Sequence, residues 1–273
     1  MALTDLAIAE AAARLADARR RTALLSDLGP AHAPATIAEA YRIQDVFRSS
    51  WGDAVVGWKI GATAPAVQAK FGVAEPFAGP VFARDTFISP GRPASARFPH
   101  HCLESEFAFR FGVRLAPRAA RYSRTEITAA IDALVPAIEI VGPRFDSLLF
   151  GKAPTAIADS GVNAGFVLGA PVAEWRSHDL PGHAVSIFVD GVVKGQGSGA
   201  NVLGDPLIVL DWAVNHLSAR GIAIEAGQFI STGTTTGIAY IAPGATAVAD
   251  FGTLGTVEVR FEGAPPPNLV AGP

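Results

Sequence analysis

Three glutamates offer the chemistry in this chain. Glu104 and Glu106 lie in Leu103-Glu104-Ser105-Glu106-Phe107-Ala108-Phe109, and Glu139 lies in Pro136-Ala137-Ile138-Glu139-Ile140-Val141. Both segments are rich in β-branched or aromatic residues and read as strands, in which residues two apart point the same way, about 6.6–6.8 Å apart. Glu104 and Glu106 therefore share one face, while Leu103, Ser105, Phe107, Phe109 and Phe111 share the other. Glu139 interrupts an otherwise apolar run from Val135 to Val141. Parallel carboxylates repel, and a buried carboxylate without a partner either takes up a proton or costs several kcal/mol. One divalent cation held by three oxygen donors resolves both problems, and hard oxygen ligands suit Mg²⁺ or Mn²⁺. Taken separately, Glu-x-Glu also describes a solvated strand face, and a lone strand glutamate an ion pair with Arg or Lys. The three together point to a metal.

Lys59 shares its strand face with Gly57 and Gly61, which leaves space for a bound anion; the plainer reading is an edge lysine that discourages strand pairing. The segment Ser231-Thr232-Gly233-Thr234-Thr235-Thr236-Gly237 follows a strand, and its hydroxyls and backbone N–H groups suit a carboxylate, though a polar turn has the same composition. Within it, Thr234 is the substrate-binding candidate. His100 and His101 are adjacent, so on a strand they point to opposite sides and cannot both join one site. Gly195-Gln196-Gly197-Ser198-Gly199 follows a hairpin rather than a βαβ unit, which argues against a dinucleotide loop. No Gly-x-Ser-x-Gly elbow is present.

These residues need elements to hold them. Residues 3–25 read as an amphipathic helix through Leu3, Ile8 and Leu15. Thr36 and Glu39 form a capping-box pattern that opens a second helix through Tyr41, Val46 and Phe47. The pattern then turns to period two: Val56, Trp58 and Ile60 face one way along a strand over 54–61, Gly57, Lys59 and Gly61 the other. A short helix is expected over 65–71, then loop with short strands to residue 100. Ser123 and Glu126 open a helix expected to run to about Val135. Asp190-Gly191 marks a hairpin turn. Asp205 caps a helix from Pro206 to Gly221. Further strands are expected near 164–169, 184–198, 228–232, 246–251 and 254–261. Strands outnumber helices after residue 50 without βαβ alternation, which predicts an α+β fold: a mixed, mostly antiparallel β-roll with a helical N-terminal layer. The expected organisation is a helical layer over 1–50, a catalytic roll over 51–263 and a loose tail over 264–273.

Composition narrows the class. The chain has 273 residues, of which 49% are hydrophobic and 17% charged, so it can bury a large core. A net charge of −3 gives no footprint for nucleic acid. No apolar stretch reaches the roughly 18 residues of a membrane span. The N-terminus carries Asp5, Glu10 and Asp17 and no signal-peptide pattern. The single cysteine, Cys102, forbids an internal disulfide and fits a reducing, cytoplasmic setting.

Several motifs occur in an ordered series: Gly57-Trp58-Lys59-Ile60-Gly61, Glu104-Ser105-Glu106, Pro136-Ala137-Ile138-Glu139, Ala158-Asp159-Ser160, Lys194-Gly195-Gln196-Gly197 and Gly204-Asp205-Pro206. On these the chain, over roughly residues 3–262, resembles the fumarylacetoacetate hydrolase superfamily. It is most similar to the branch containing 2-keto-4-pentenoate hydratase, 2-oxohept-3-enedioate hydratase and 4-oxalocrotonate decarboxylase. The resemblance implies a β-roll, an octahedral Mg²⁺ or Mn²⁺ on Glu104, Glu106 and Glu139, and a 2-oxo acid chelating that metal. It makes Lys59 the active-site lysine and Gln68, Asp159 and Ser160 substrate-binding residues, in a homo-oligomer between a dimer and a decamer. The chain departs from the branch in two places. Glu75-Pro76-Phe77-Ala78-Gly79 has Phe77 where an aspartate is expected, and Asp159-Ser160-Gly161 stands for Asp-Asn-Ala.

The expected activity is a hydratase acting on a 2-hydroxypenta-2,4-dienoate-type substrate to give a 4-hydroxy-2-oxo acid. Decarboxylation and C–C hydrolysis draw on the same metal-stabilised enolate, and a silent oxo-acid-binding protein would share its binding features. Phe77 predicts an apolar wall and a monocarboxylate substrate, because an unpaired distal carboxylate is costly to bury.

Overall fold

The computed structural model describes residues 2–270. In chain order the elements are α1 (Asp5–Arg21), α2 (Ile37–Ser50), β1 (Val55–Gly61), α3 (Pro65–Phe71), β2 (Phe77–Phe82), β3 (Thr86–Ile88), β4 (Cys102–Phe111), α4 (Arg124–Ala130) and β5 (Ile131–Val141). They continue with α5 (Ala153–Ala158), β6 (Asn163–Leu168), β7 (Ala184–Val189), β8 (Val192–Ser198), α6 (Pro206–Ala219), β9 (Phe229–Thr234), β10 (Ala239–Tyr240), β11 (Thr246–Asp250) and β12 (Thr256–Arg260).

Local signals set the helix starts. Thr36 and Ser123 make reciprocal capping boxes with Glu39 and Glu126, and Asp205 caps α6 with Pro206 at its first position. Two helix ends differ from expectation. The first helix stops at Arg21 rather than near residue 25, because Thr22 adopts a left-handed cap. The helix from Ser123 ends at Ala130 rather than near Val135, and Ile131 already has extended backbone. Ile131 and Ala133–Val135 pair with β4, and Asp132 meets Arg110 at 2.9 Å, so sheet pairing overrides the helical continuation.

An eight-stranded sheet runs β2-β1-β9-β4-β5-β6-β3, with β10 also on β4. Its pairs are antiparallel except β1 with β9 and β3 with β6. A four-stranded antiparallel sheet, β12-β11-β7-β8, packs against it. Phe107, Phe109 and Phe111 from one face of β4 join Ile187, Ala247 and Val257 of the small sheet in the main core. The opposite face of β4 curls inward, where Ala108 meets Val81, Ala137, Phe166 and Phe229. Helices α1, α2 and α5 form a second cluster against Phe77, Phe82 and Val141. Period-two alternation on β4 thus sends phenylalanines to one core and glutamates to the other side.

The tail expected to be loose from 264 is tied at two points: Asn268 Nδ2 donates to Thr22 O at 2.9 Å, and Val270 N to Pro99 O at 2.7 Å. Residues 271–273 of that tail lie outside the described residues. No helix among the described residues is long and apolar enough to cross a membrane.

Candidate active site

Pairing of β4 with β5 places Glu104 directly opposite Glu139. Glu106 lies two residues on, so the three carboxylates converge, with one oxygen of each within 4.8 Å of the others. Glu106 and Glu139 are fully buried, and Glu104 lines a cavity of about 330 Å³. Each buried carboxylate is half satisfied. Glu139 Oε1 accepts from Asn163 Nδ2 at 2.8 Å. Glu106 Oε2 accepts from the Ser231 hydroxyl and, at 3.0 Å, from Gly233 N. Glu106 Oε1 and Glu139 Oε2 accept no hydrogen bond among the described residues.

Gly233 lets its N–H reach that carboxylate. Its φ is +98°, and a Cβ there would lie 1.9 Å from Thr63 Oγ1, so another residue would break the turn. Lys59 Nζ donates to Gly161 O at 2.9 Å and lies 3.2 Å from Glu139 Oε2, an ionic contact without hydrogen-bond alignment. The glycines beside Lys59 do not leave the open space expected of them. A Cβ at Gly57 would strike Phe229, and one at Gly61 would strike the Phe77 ring at 2.6 Å, so these glycines admit aromatic rings.

Burial, then Glu139, push the Glu104 carboxyl up to about 7 against the pull of Lys59. Burial and the same repulsion raise Glu106 well above the ordinary carboxylate range. Burial alone would lower Lys59, but the three carboxylates outweigh it and raise the ammonium above its usual value. One lysine cannot neutralise three converging carboxylates, two of them fully buried. Two buried oxygens that accept no hydrogen bond, one of them met only by the Lys59 ammonium, within an all-oxygen donor set therefore fit a hard divalent cation.

The cavity wall beyond Glu104 is largely apolar. Phe71 packs on Phe77 at 5.3 Å and 84°, and on Phe150 at 5.1 Å. Val67, Leu148 and Ile238 complete this side, while Thr63, Thr234 and Tyr240 bring hydroxyls and Lys70 a cation. The sequence reading missed Thr63, Asn163 and Tyr240, which no short motif marks.

The remaining candidates sit elsewhere. Asp159 does not line the cavity. Its carboxylate is claimed by the backbone N and the guanidinium of Arg144, which also donates to Asp159 O at 2.7 Å. A buried arginine beside a buried aspartate forms that pair before any substrate arrives, so Asp159 shapes the turn that carries Gly161 O to Lys59. Ser160 is buried beside it with an unpartnered hydroxyl, and Gln68 is half-buried on α3; neither lines the cavity. His100 bonds to Phe145 O at 2.7 Å and His101 stacks on Phe261 at 4.0 Å, so both are used in packing.

No protein-family profile matches the chain. Individual relatives do. The chain is 33% identical over 265 residues to a 2-keto-4-pentenoate hydratase of Burkholderia vietnamiensis, covering 94% of this chain and 98% of that one. It is 32% identical over 232 residues to a 4-oxalocrotonate decarboxylase of Pseudomonas putida, covering 83% and 86%. The chain belongs to this hydratase–decarboxylase branch of the fumarylacetoacetate hydrolase superfamily. Among solved structures, the 4-oxalocrotonate decarboxylase of Pseudomonas putida G7, complexed with magnesium and adipate, superposes with a TM-score of 0.87 at 27% identity. It covers 96% of this chain and 100% of that chain. A fumarylpyruvate hydrolase of Pseudomonas aeruginosa, solved with Mn²⁺ and pyruvate, matches at TM-score 0.55 and 16% identity and shares the fold. Members of the branch are enzymes, and the superfamily depends on divalent metal.

Proposed function

We propose that this protein is a Mg²⁺- or Mn²⁺-dependent hydratase that adds water to a 2-hydroxypenta-2,4-dienoate-type acid, giving a 4-hydroxy-2-oxo acid. The observation that carries the reading is the convergent Glu104–Glu106–Glu139 set with two buried oxygens that accept no hydrogen bond, beside Lys59 on a largely apolar cavity. The names of the hydratase relatives support the reaction class.

Glu104, Glu106 and Glu139 would hold the cation, which when bound polarises the C2 oxygen of the substrate and stabilises enolate charge. Lys59 is the proton carrier: its ammonium is buried and fixed by Gly161 O. Asn163 and Ser231 orient the outer oxygens of Glu139 and Glu106. Thr63, Thr234 and Tyr240 hydroxyls can meet the substrate carboxylate and the entering water, while Phe71, Phe77 and Phe150 exclude bulk solvent from its distal end. We place the enzyme in the cytoplasm as a homo-oligomer, on the single buried Cys102 and the resemblance to its branch.

The wall at Phe77 favours a monocarboxylate with an apolar distal group. A second reading, decarboxylation, is favoured by Lys70, a cation on the same cavity that could meet a second carboxylate. Absorbance-monitored turnover with Mg²⁺ separates the two. A methyl-terminated dienoate is expected to show the higher kcat/KM, with no CO₂ released. Clear preference for the dicarboxylate analogue, with CO₂ release abolished in Lys70→Ala, would replace hydration by decarboxylation.

A further inference from the structure

A second concavity lies away from the glutamates. It has a volume of about 380 Å³ and is lined by Arg19, Arg20, Arg84, Arg97 and Arg144, with Asp85 as its single acidic residue. Four separate segments supply these arginines: the last turn of α1, the turn after β2, the turn before β4 and the loop after β5. A chain of net charge −3 has gathered five guanidiniums around one cavity.

The internal carboxylates do not balance them. Asp85 is divided between Arg19, at 2.8 Å, and Arg97. Arg144 is neutralised by Asp159. Arg20 and Arg84 have no carboxylate partner among the described residues, so two aspartates against five arginines leave an excess of three positive charges. Like charges held this close repel unless a counter-charge joins them.

The cluster is also built rather than splayed. Arg19, Arg20 and Arg84 lie over the Trp51 ring, at 5.6, 5.8 and 5.7 Å from its centroid. Cation–π stacking of this kind holds guanidiniums in place while leaving their edge donors free. Arg19 is the buried anchor. Its side chain is 8% exposed, and its Nη1 has no hydrogen-bond partner among the described residues. Burial, then Arg144 nearby, pull its guanidinium down to about 10 despite Asp85.

We propose that this arginine cavity binds a small multivalent oxyanion, such as a phosphate group, at a site separate from the metal centre. Planar guanidinium forks match tetrahedral or carboxylate oxygens in pairs, and the volume admits a small anion rather than a polymer. The wall also touches the active site indirectly. Arg144 Nη1 donates to Asn163 O at 2.6 Å, and Asn163 Nδ2 in turn holds Glu139.

The test is calorimetric titration of inorganic phosphate into the Mg²⁺-loaded protein at constant ionic strength. One saturable site per subunit is expected, weakened at least tenfold in Arg20→Ala/Arg84→Ala and measurably in Arg84→Gln alone. Both positions are exposed, and neither belongs to the catalytic machinery. Absence of saturable heat in the parent protein would overturn the proposal, as would undiminished affinity in both variants, which would place phosphate elsewhere.

Discussion

Glu106→Gln is expected to weaken Mn²⁺ binding by more than about 100-fold, since even outer-shell changes at metal sites cost roughly 10–100-fold. The same substitution should leave the metal-free protein at least as stable as its parent. Glu106 has an oxygen within 4.8 Å of those of Glu104 and Glu139, is fully buried, and its carboxyl is already held well above its ordinary range. An amide oxygen can still accept from Ser231 and Gly233 N, which now hold Oε2, and the amide N–H groups face carboxylates. Calorimetry for affinity and thermal unfolding of the metal-free protein read the two effects separately. Unchanged Mn²⁺ affinity would remove Glu106 from the ligand set.

The same carboxylates fix a pH dependence. Glu104 is raised from 4.5 to about 7, so the folded, metal-free protein holds its proton more tightly than the unfolded chain does. Metal-free stability from this group is therefore fully present at acidic pH and is lost as pH rises across that window. Metal binding runs the opposite way. A cation must displace those protons, so affinity should fall as pH drops below about 7. Affinity that is flat between pH 5 and 8, the window spanning that value, would show that no protonated carboxyl is being displaced.

Lys59→Met is expected to lower kcat by roughly 10²–10⁴-fold, the usual scale for a lost general acid or base. Metal affinity should be unchanged or tighter, because the substitution removes a cation 3.2 Å from Glu139 Oε2. Methionine keeps an unbranched side chain at this buried position without the charge. Opposite movement of the two readouts distinguishes a proton carrier from a residue that merely offsets the carboxylates. Full activity in a folded variant would leave Lys59 with charge balance alone.

The convergence of the three carboxylates was legible in part because strand periodicity is local. Glu104 and Glu106 share a face in any straight strand, and Glu139 stood out against Val135–Val141. Capping boxes at Thr36 and Ser123 were legible for the same reason. The end of α4 was not, because the residues after Ala130 are claimed by β4, a partner distant in sequence.

Alternation put the glutamates on a face; the register that sets Glu104 against Glu139, and the closure that brings Gly161 O to Lys59, are long-range choices. Asp159 could be named from its neighbours, yet only packing decided that Arg144 would take its carboxylate. Gly57 and Gly61 announced missing side chains, and only the fold showed Phe229 and Phe77 against them. The five arginines are scattered singly or in pairs along the chain, and folding alone gathers them around one cavity. Backbone geometry repeats every few residues and can be read in one dimension. Charge balance and ring packing depend on which distant segments meet, and these were decided in three dimensions.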